Sequence, residues 1–191
     1  MDALLFQQIN GLVGQIPWLD SFMTLVAKYL PVVFALFLVG LWLTREQRVA
    51  LLAGISAILA LGLGQIINSI FLRARPYTVY ATHLLVDRTS DPSFPSDHAT
   101  LAFAIAALVW QFNRKVAIVL LGLALIQGFA RVYVGAHYPS DVIGGAVLGV
   151  LVSSAVGRAS STPLVHRLLD NLFGWLAKWH ITKESDEQQV A

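Results

Sequence analysis

Apolar residues gather into long runs along this chain, divided by short polar stretches. The first run covers 22–43 (FMTLVAKYLPVVFALFLVGLWL), with Lys28 near its start, and the second covers 49–71. Three more follow at about 98–112, 116–134 and 142–157. A helix needs roughly 20 residues to cross a bilayer. The third and fifth runs reach that length only if the polar residues before them are included. The pattern predicts an all-α, polytopic membrane helical bundle with about five spanning helices.

The flanks keep a helical period but are two-sided. Over 163–179, Val165, Leu168, Leu169, Leu172, Leu176 and Trp179 share one stripe, and Arg167, Asp170, Asn171 and Lys178 take the other side. This reads as a C-terminal interfacial amphipathic helix, with Trp175 and Trp179 at headgroup level. Residues 2–16 read as an N-terminal counterpart, with Leu5, Ile9, Leu12 and Ile16 as its stripe. The tail KESDEQQVA is polar and expected to be disordered. The expected organisation is one membrane domain over 1–180 and a polar tail over 181–191.

Composition agrees. The chain of 191 residues is 57% hydrophobic and 13% charged, with a mean hydropathy of +0.68. A soluble domain carries about a quarter charged residues. No cysteine is present, so disulfides, thiolate metal sites and thiol nucleophiles are excluded. A net charge of +2 gives no reason to expect a nucleic-acid partner. The opening MDALLFQQINGLVG lacks the basic start of a signal peptide, so the N-terminus is expected to be retained.

Charge also predicts orientation. With the link between the first two spans inside, Arg45, Arg48, Arg114, Lys115, Arg158, Arg167, Lys178 and Lys183 all lie on the cytoplasmic side. Lys28, Arg73, Arg75, Arg88 and Arg131 then lie outside or near the outer face, as exceptions that need a reason.

The same topology gathers the unusual polar residues. LRARPY (72–77), FPSDHA (94–99) and ARVYVGAHYPSD (130–141) all fall at the outer end. Ser96 stands where a helix N-cap belongs, and a helix start offers free N–H groups to an anion. Arg75 and Arg131 offer planar forks that match phosphate oxygens. His137 and Asp141 lie four apart, so the carboxylate can take one ring N–H and leave the other nitrogen free to attack. His98 is a second imidazole, available as general acid. Two histidines, an acid and two arginines describe phosphoryl transfer without a metal or cofactor. A zinc or magnesium site built from two histidines and two aspartates is the rival reading, and the neighbouring arginines favour an anion instead.

Other polar residues have plainer readings. Gly145 and Gly149 suit close helix packing. Gln65, Asn68 and Ser69 are assigned to packing rather than to the site. His83, Asp87, Arg88 and Asp91 are assigned to a solvated loop, and His166 and His180 to a polar helix face.

The motifs together resemble the type-2 phosphatidic-acid phosphatase superfamily, whose pattern is K-x6-RP, PSxH and SR-x5-H-x3-D. Here the three read NSIFLRARP (68–76), PSDH (95–98) and AR-x5-H-x3-D (130–141). Asn68 replaces the lysine and Ala130 the serine, which removes two phosphate contacts. Arg73 is a candidate to restore the lysine's charge. The missing lysine, the Leu19-Asp20-Ser21 element and the HYPxDV stretch at 137–142 are similar to undecaprenyl-diphosphate phosphatases of the bacitracin-resistance type.

The resemblance implies a phosphohistidine mechanism. His137 is the nucleophile, Asp141 orients it, and His98 protonates the leaving group. Arg75, Ser96 and Arg131 bind the phosphate. The implied substrate is undecaprenyl diphosphate, an isoprenoid diphosphate lipid, acted on at the outer face of the cell membrane to recycle the cell-wall carrier. Other lipid phosphates, phosphatidylglycerophosphate among them, are alternative substrates. A non-catalytic phospholipid-binding or transporting membrane protein is the alternative of a different class.

Overall fold

The computed structural model describes residues 1–174. The chain divides into two compact units, Met1–Val156 and Gly157–Ala191. Among the described residues the structure is helical, with no strand. In order come α1 (Asp2–Asn10), α2 (Pro17–Leu43), α3 (Gln47–Phe71), α4 (Pro76–Val79), α5 (Asp97–Trp110), α6 (Arg114–Tyr133) and α7 (Pro139–Ser160). Residues 163–174 are also helical. Trp175, Trp179 and the polar tail lie outside the described residues.

Local chemistry sets the boundaries. Proline opens α2, α4 and α7, where its missing N–H costs nothing. Leu72 ends α3 in the left-handed region at φ 44°, its N–H returning to the Asn68 carbonyl at 3.1 Å. Pro76 holds Arg75 extended, so the chain breaks between α3 and α4. The Asn113 side chain accepts from the Val116 N–H at 3.2 Å and caps α6.

Four helices are long and apolar enough to cross a membrane: α2, α3, α6 and α7. The third predicted span, over 98–112, is shorter than expected. α5 has 14 residues, about 21 Å of helix against a hydrocarbon core of about 30 Å. The polar residues expected to lengthen it, through Ser96, are instead spent on an extended approach.

α5 is the centre of the bundle. Ala99, Thr100, Ala102, Ala104, Ile105, Ala106, Leu108 and Val109 are all buried, against α3 and α6 on two sides. α7 presses close on a third. A Cβ on Gly145 would stand 2.6 Å from the Ser96 carbonyl oxygen, and one on Gly149 would stand 2.6 Å from that of Thr100. Ser153 continues the stripe, its hydroxyl donating to the Ala104 carbonyl at 2.7 Å. The two glycines thus serve the close packing expected of them. Large apolar side chains such as Leu36, Ile58, Ile118, Leu125 and Leu151 point outward. That arrangement suits lipid, which is as apolar as they are. The chain is a multi-pass membrane protein.

The N-terminal helix is shorter than the expected 2–16, and it keeps the exposed apolar side of an interfacial helix. It ends at Asn10, a turn follows, and Leu5, Leu12 and Ile16 are exposed. Phe6 and Asn10 are the buried residues. The Asn10 amide donates to the carbonyls of His83 and Tyr133 at 2.8 and 2.9 Å and accepts from the His83 N–H at 3.0 Å. Loop backbone groups need such partners when buried. Asp20, in the Leu19-Asp20-Ser21 element, accepts from the Tyr133 hydroxyl at 2.7 Å and from the Gly14 N–H at 3.0 Å. It fastens the start of α2 to the end of α6.

Candidate active site

One end of the bundle collects the ends of α3 and α6, the starts of α5 and α7, α4, and the connection over 80–96. The Ser96 N–H donates to the Asp141 carbonyl at 3.0 Å, which joins the starts of α5 and α7. Arg75, Ser96, Arg131, His137 and Asp141 are all buried. His98, the second residue of α5, is in electrostatic reach of Arg131, His137, Arg75 and Asp91. The six residues singled out in the sequence therefore share one site.

His137 is held differently from the expectation. Its Nδ1 lies 2.9 Å from the Ser93 carbonyl oxygen and 3.7 Å from Asp141 Oδ2. The longer distance exceeds a hydrogen bond. A carbonyl only accepts, so Nδ1 carries the proton and Nε2 keeps its lone pair. Ser93, not Asp141, sets the tautomer. Nε2 faces Arg75 Nη1 at 3.2 Å. Burial, opposed by Asp141 and reinforced by Arg131 and Arg75, pushes the His137 pKa down to about 4. The imidazole is then neutral across neutral pH, and its unprotonated Nε2 accepts from Arg75.

Asp141 is fixed by three other donors. Arg73 Nη1 reaches Oδ1 at 2.6 Å, while the Ser93 hydroxyl and the Tyr138 N–H reach Oδ2 at 2.6 and 2.8 Å. Ser93 thus links both partners, its hydroxyl on Asp141 and its carbonyl on His137. Arg73 does not restore the lysine charge missing at Asn68. Its second nitrogen, Nη2, pairs with Asp2 at 2.5 Å, and its guanidinium lies 4.2 Å from the Tyr138 ring centre.

The anion-seeking groups lie on the other side of His137. Arg75 donates Nη1 to the Ala136 carbonyl at 3.2 Å and Nε to the Asp91 carbonyl at 3.0 Å. Its Nη2 meets the Asp91 carboxylate at 2.5 Å. Asp91, read from sequence as a solvated loop residue, is therefore tied to the site. Burial pushes the Asp91 carboxyl up, and Thr89 and Arg75 more than offset this, leaving it below the usual range. Ser96 occupies the N-cap position of α5, but its hydroxyl caps nothing. Ser96 Oγ and Arg131 Nε are both buried without a hydrogen-bond partner in the chain. Such groups are costly unless an anion engages them.

His98 opens onto a groove of about 230 Å³, lined by Pro31, Leu61, Gln65, Asp97, His98 and Leu101. Pro31 lies near the middle of α2, so this part of the site is level with the middle of that helix. Gln65 Nε2 donates to Asp97 Oδ2 at 3.0 Å. Gln65 thus belongs to the site's wall, beyond the packing role given to it. Ser93, Asp2, Asp91 and Ser140 carried no sequence signal. Serines and acids in a polar connection look alike until folding shows which of them point inward.

A buried histidine beside an arginine-lined, anion-seeking pocket in a helical membrane bundle defines a membrane phosphatase fold. The chain belongs to the PAP2 superfamily, whose pattern matches residues 49–163. It is 34% identical over 186 residues to undecaprenyl-diphosphatase BcrC of Bacillus subtilis, spanning 93% of this chain and 96% of that protein. It is 36% identical over 169 residues to the bacitracin transport permease protein BcrC of Bacillus licheniformis, spanning 86% of this chain and 83% of that protein. Among solved structures, the crystal structure of Aquifex aeolicus LpxE superposes with a TM-score of 0.66 at 28% identity, over 81% of this chain and 93% of that one.

Proposed function

We propose that this protein hydrolyses undecaprenyl diphosphate to undecaprenyl phosphate and inorganic phosphate through a phosphohistidine, at the outer face of the cell membrane. The observation that carries the chemistry is His137, with Nδ1 against the Ser93 carbonyl and Nε2 turned toward Arg75. The likeness to the undecaprenyl-diphosphatase of Bacillus subtilis over nearly the whole of both chains supports the substrate.

The Nε2 lone pair attacks the terminal phosphorus, and an N–P bond forms as the bond to the bridging oxygen breaks. His98 gives that oxygen its proton, and lipid phosphate leaves. Water then loses a proton to His98 and attacks phosphorus, the N–P bond breaks, and inorganic phosphate departs. Arg75, Arg131, the Ser96 hydroxyl and N–H groups at the start of α5 hold the equatorial oxygens, where charge accumulates. The apolar walls of the groove beside His98 suit an isoprenoid chain. A basic pocket alone would serve a phospholipid binder or transporter, but such a protein gains nothing from a histidine with a fixed tautomer.

The test is phosphate release by purified protein in detergent. Undecaprenyl diphosphate, phosphatidylglycerophosphate and phosphatidic acid are compared, alongside His137→Ala. Preferential release from the diphosphate, lost with its phosphoenzyme in the variant, supports the reading. No release from any lipid by the intact protein leaves the binder. Wild-type-like turnover in His137→Ala removes the nucleophile.

A further inference from the structure

Asp2, Arg73 and Ser140 form a closed cluster behind Asp141, on the side away from the phosphate pocket. Asp2 accepts from Arg73 Nη2 at 2.5 Å, from the Ser140 hydroxyl at 2.6 Å and from the Ser140 N–H at 3.0 Å. Arg73 Nη1 reaches Ser140 Oγ and Asp141 Oδ1, each at 2.6 Å. α1 is thereby latched to the start of α7, one residue before Asp141. Two contacts hold it there independently: the Asn10 amide on the His83 and Tyr133 carbonyls, and the Phe6 ring against Tyr138 at 5.6 Å.

We propose that Asp2 is a positioning residue for phosphoryl transfer, acting through Arg73 to set the charge and orientation of the carboxylate behind His137. The inference rests on His137 as the nucleophile.

Charge is the reason. His137 becomes positive as it attacks, and Asp141 is the nearby anion that favours this. Arg73 alone would cancel Asp141 and leave a neutral pair. Asp2 takes the other half of the Arg73 fork, so the trio keeps one net negative charge. Asp2 stays ionised. Burial pushes the Asp2 carboxyl up, and hydrogen bonds from Ser140 and Arg73 hold it below its usual range. The other charges near His137 are Arg75 before α4, Arg131 on α6, Asp91, which meets Arg75, and Asp97 on α5, which acts on both arginines; His98 on α5 and Tyr138, whose ring faces Arg73, are the other titratable groups. None of these belongs to the trio.

The experiment uses Asp2→Asn, Arg73→Gln and the double variant in the full chain. Phosphate release is followed against pH, with phosphoenzyme trapping and thermal unfolding in detergent. Asp2→Asn leaves a neutral trio. It should lower kcat about tenfold with KM changed less than about twofold, and move the acid limb to lower pH. Arg73→Gln leaves two negative charges and should move that limb to higher pH. The double variant restores one negative charge and should bring the limb back toward wild type. Asp2→Glu should recover most of the lost kcat. Single variants that move the limb in the same direction, or leave it in place, overturn the proposal and make the cluster a structural latch. A change in KM alone also overturns it. If the wild-type protein traps no phosphoenzyme, it is the nucleophile assignment that fails.

Discussion

Replacing Asp141 by Asn separates two roles that one carboxylate could play beside the proposed nucleophile, His137. Its Oδ2 lies 3.7 Å from His137 Nδ1. Two unit charges at that distance, in an effective dielectric of about 20, interact by about 4.5 kcal/mol. Since about 1.4 kcal/mol is tenfold in rate, this caps the charge effect at roughly three orders of magnitude. Arg73, 2.6 Å from the same carboxylate, offsets part of it. The expected loss in kcat is therefore about a hundredfold. The tautomer should survive, because the Ser93 carbonyl still accepts the Nδ1 proton at 2.9 Å. Losing the correct tautomer costs about ten-thousandfold in the Ser-His-Asp enzymes. The assay is single-turnover phosphoenzyme formation in detergent, on protein whose unfolding midpoint shows it to be folded. A loss of ten-thousandfold or more would mean that Asp141 sets the tautomer and that the Ser93 contact does not. Unchanged kcat would remove Asp141 from the chemistry.

Three further outcomes are expected. Gly149→Ala places a methyl 2.6 Å from the Thr100 carbonyl oxygen and 2.8 Å from the Ala104 nitrogen; it should cost about 1–3 kcal/mol of stability, read as a lower unfolding midpoint, and an unchanged midpoint would refute the close α5–α7 contact. Asp91→Asn removes an anion that shares Arg75 with the substrate phosphate. For a half-exposed partner the effect is small, so KM should fall about threefold, whereas a rise in KM would make Asp91 a support for Arg75. Sidedness can be read by thiol labelling, since the chain has no cysteine of its own: an impermeant reagent should label Ser90→Cys in intact cells and miss Lys115→Cys, and the reverse pattern would put catalysis in the cytoplasm.

The sequence by itself determined the membrane class, the helix order and which motif residues meet at one end of the bundle. Long apolar runs have one economical solution in lipid, because backbone groups must be satisfied within each helix. An alternating topology then brings RP, PSDH and the Arg131–His137–Asp141 series to one end, whatever the packing details. Gly145 and Gly149 were equally legible, since small residues four apart have few other uses on an apolar helix. Tertiary structure decided which polar groups meet. Spacing alone paired His137 with Asp141. The carboxylate is instead drawn to Arg73, Ser93 and the Tyr138 N–H, and a backbone carbonyl, which every residue carries and no motif records, takes the imidazole proton. The short α5 was hidden for a related reason: hydropathy does not say where an extended approach ends and a helix begins. Asp2 and Asp91 lie far in sequence from the arginines they meet, and only the folded chain shows that a charge at the first turn stands behind His137 and Asp141.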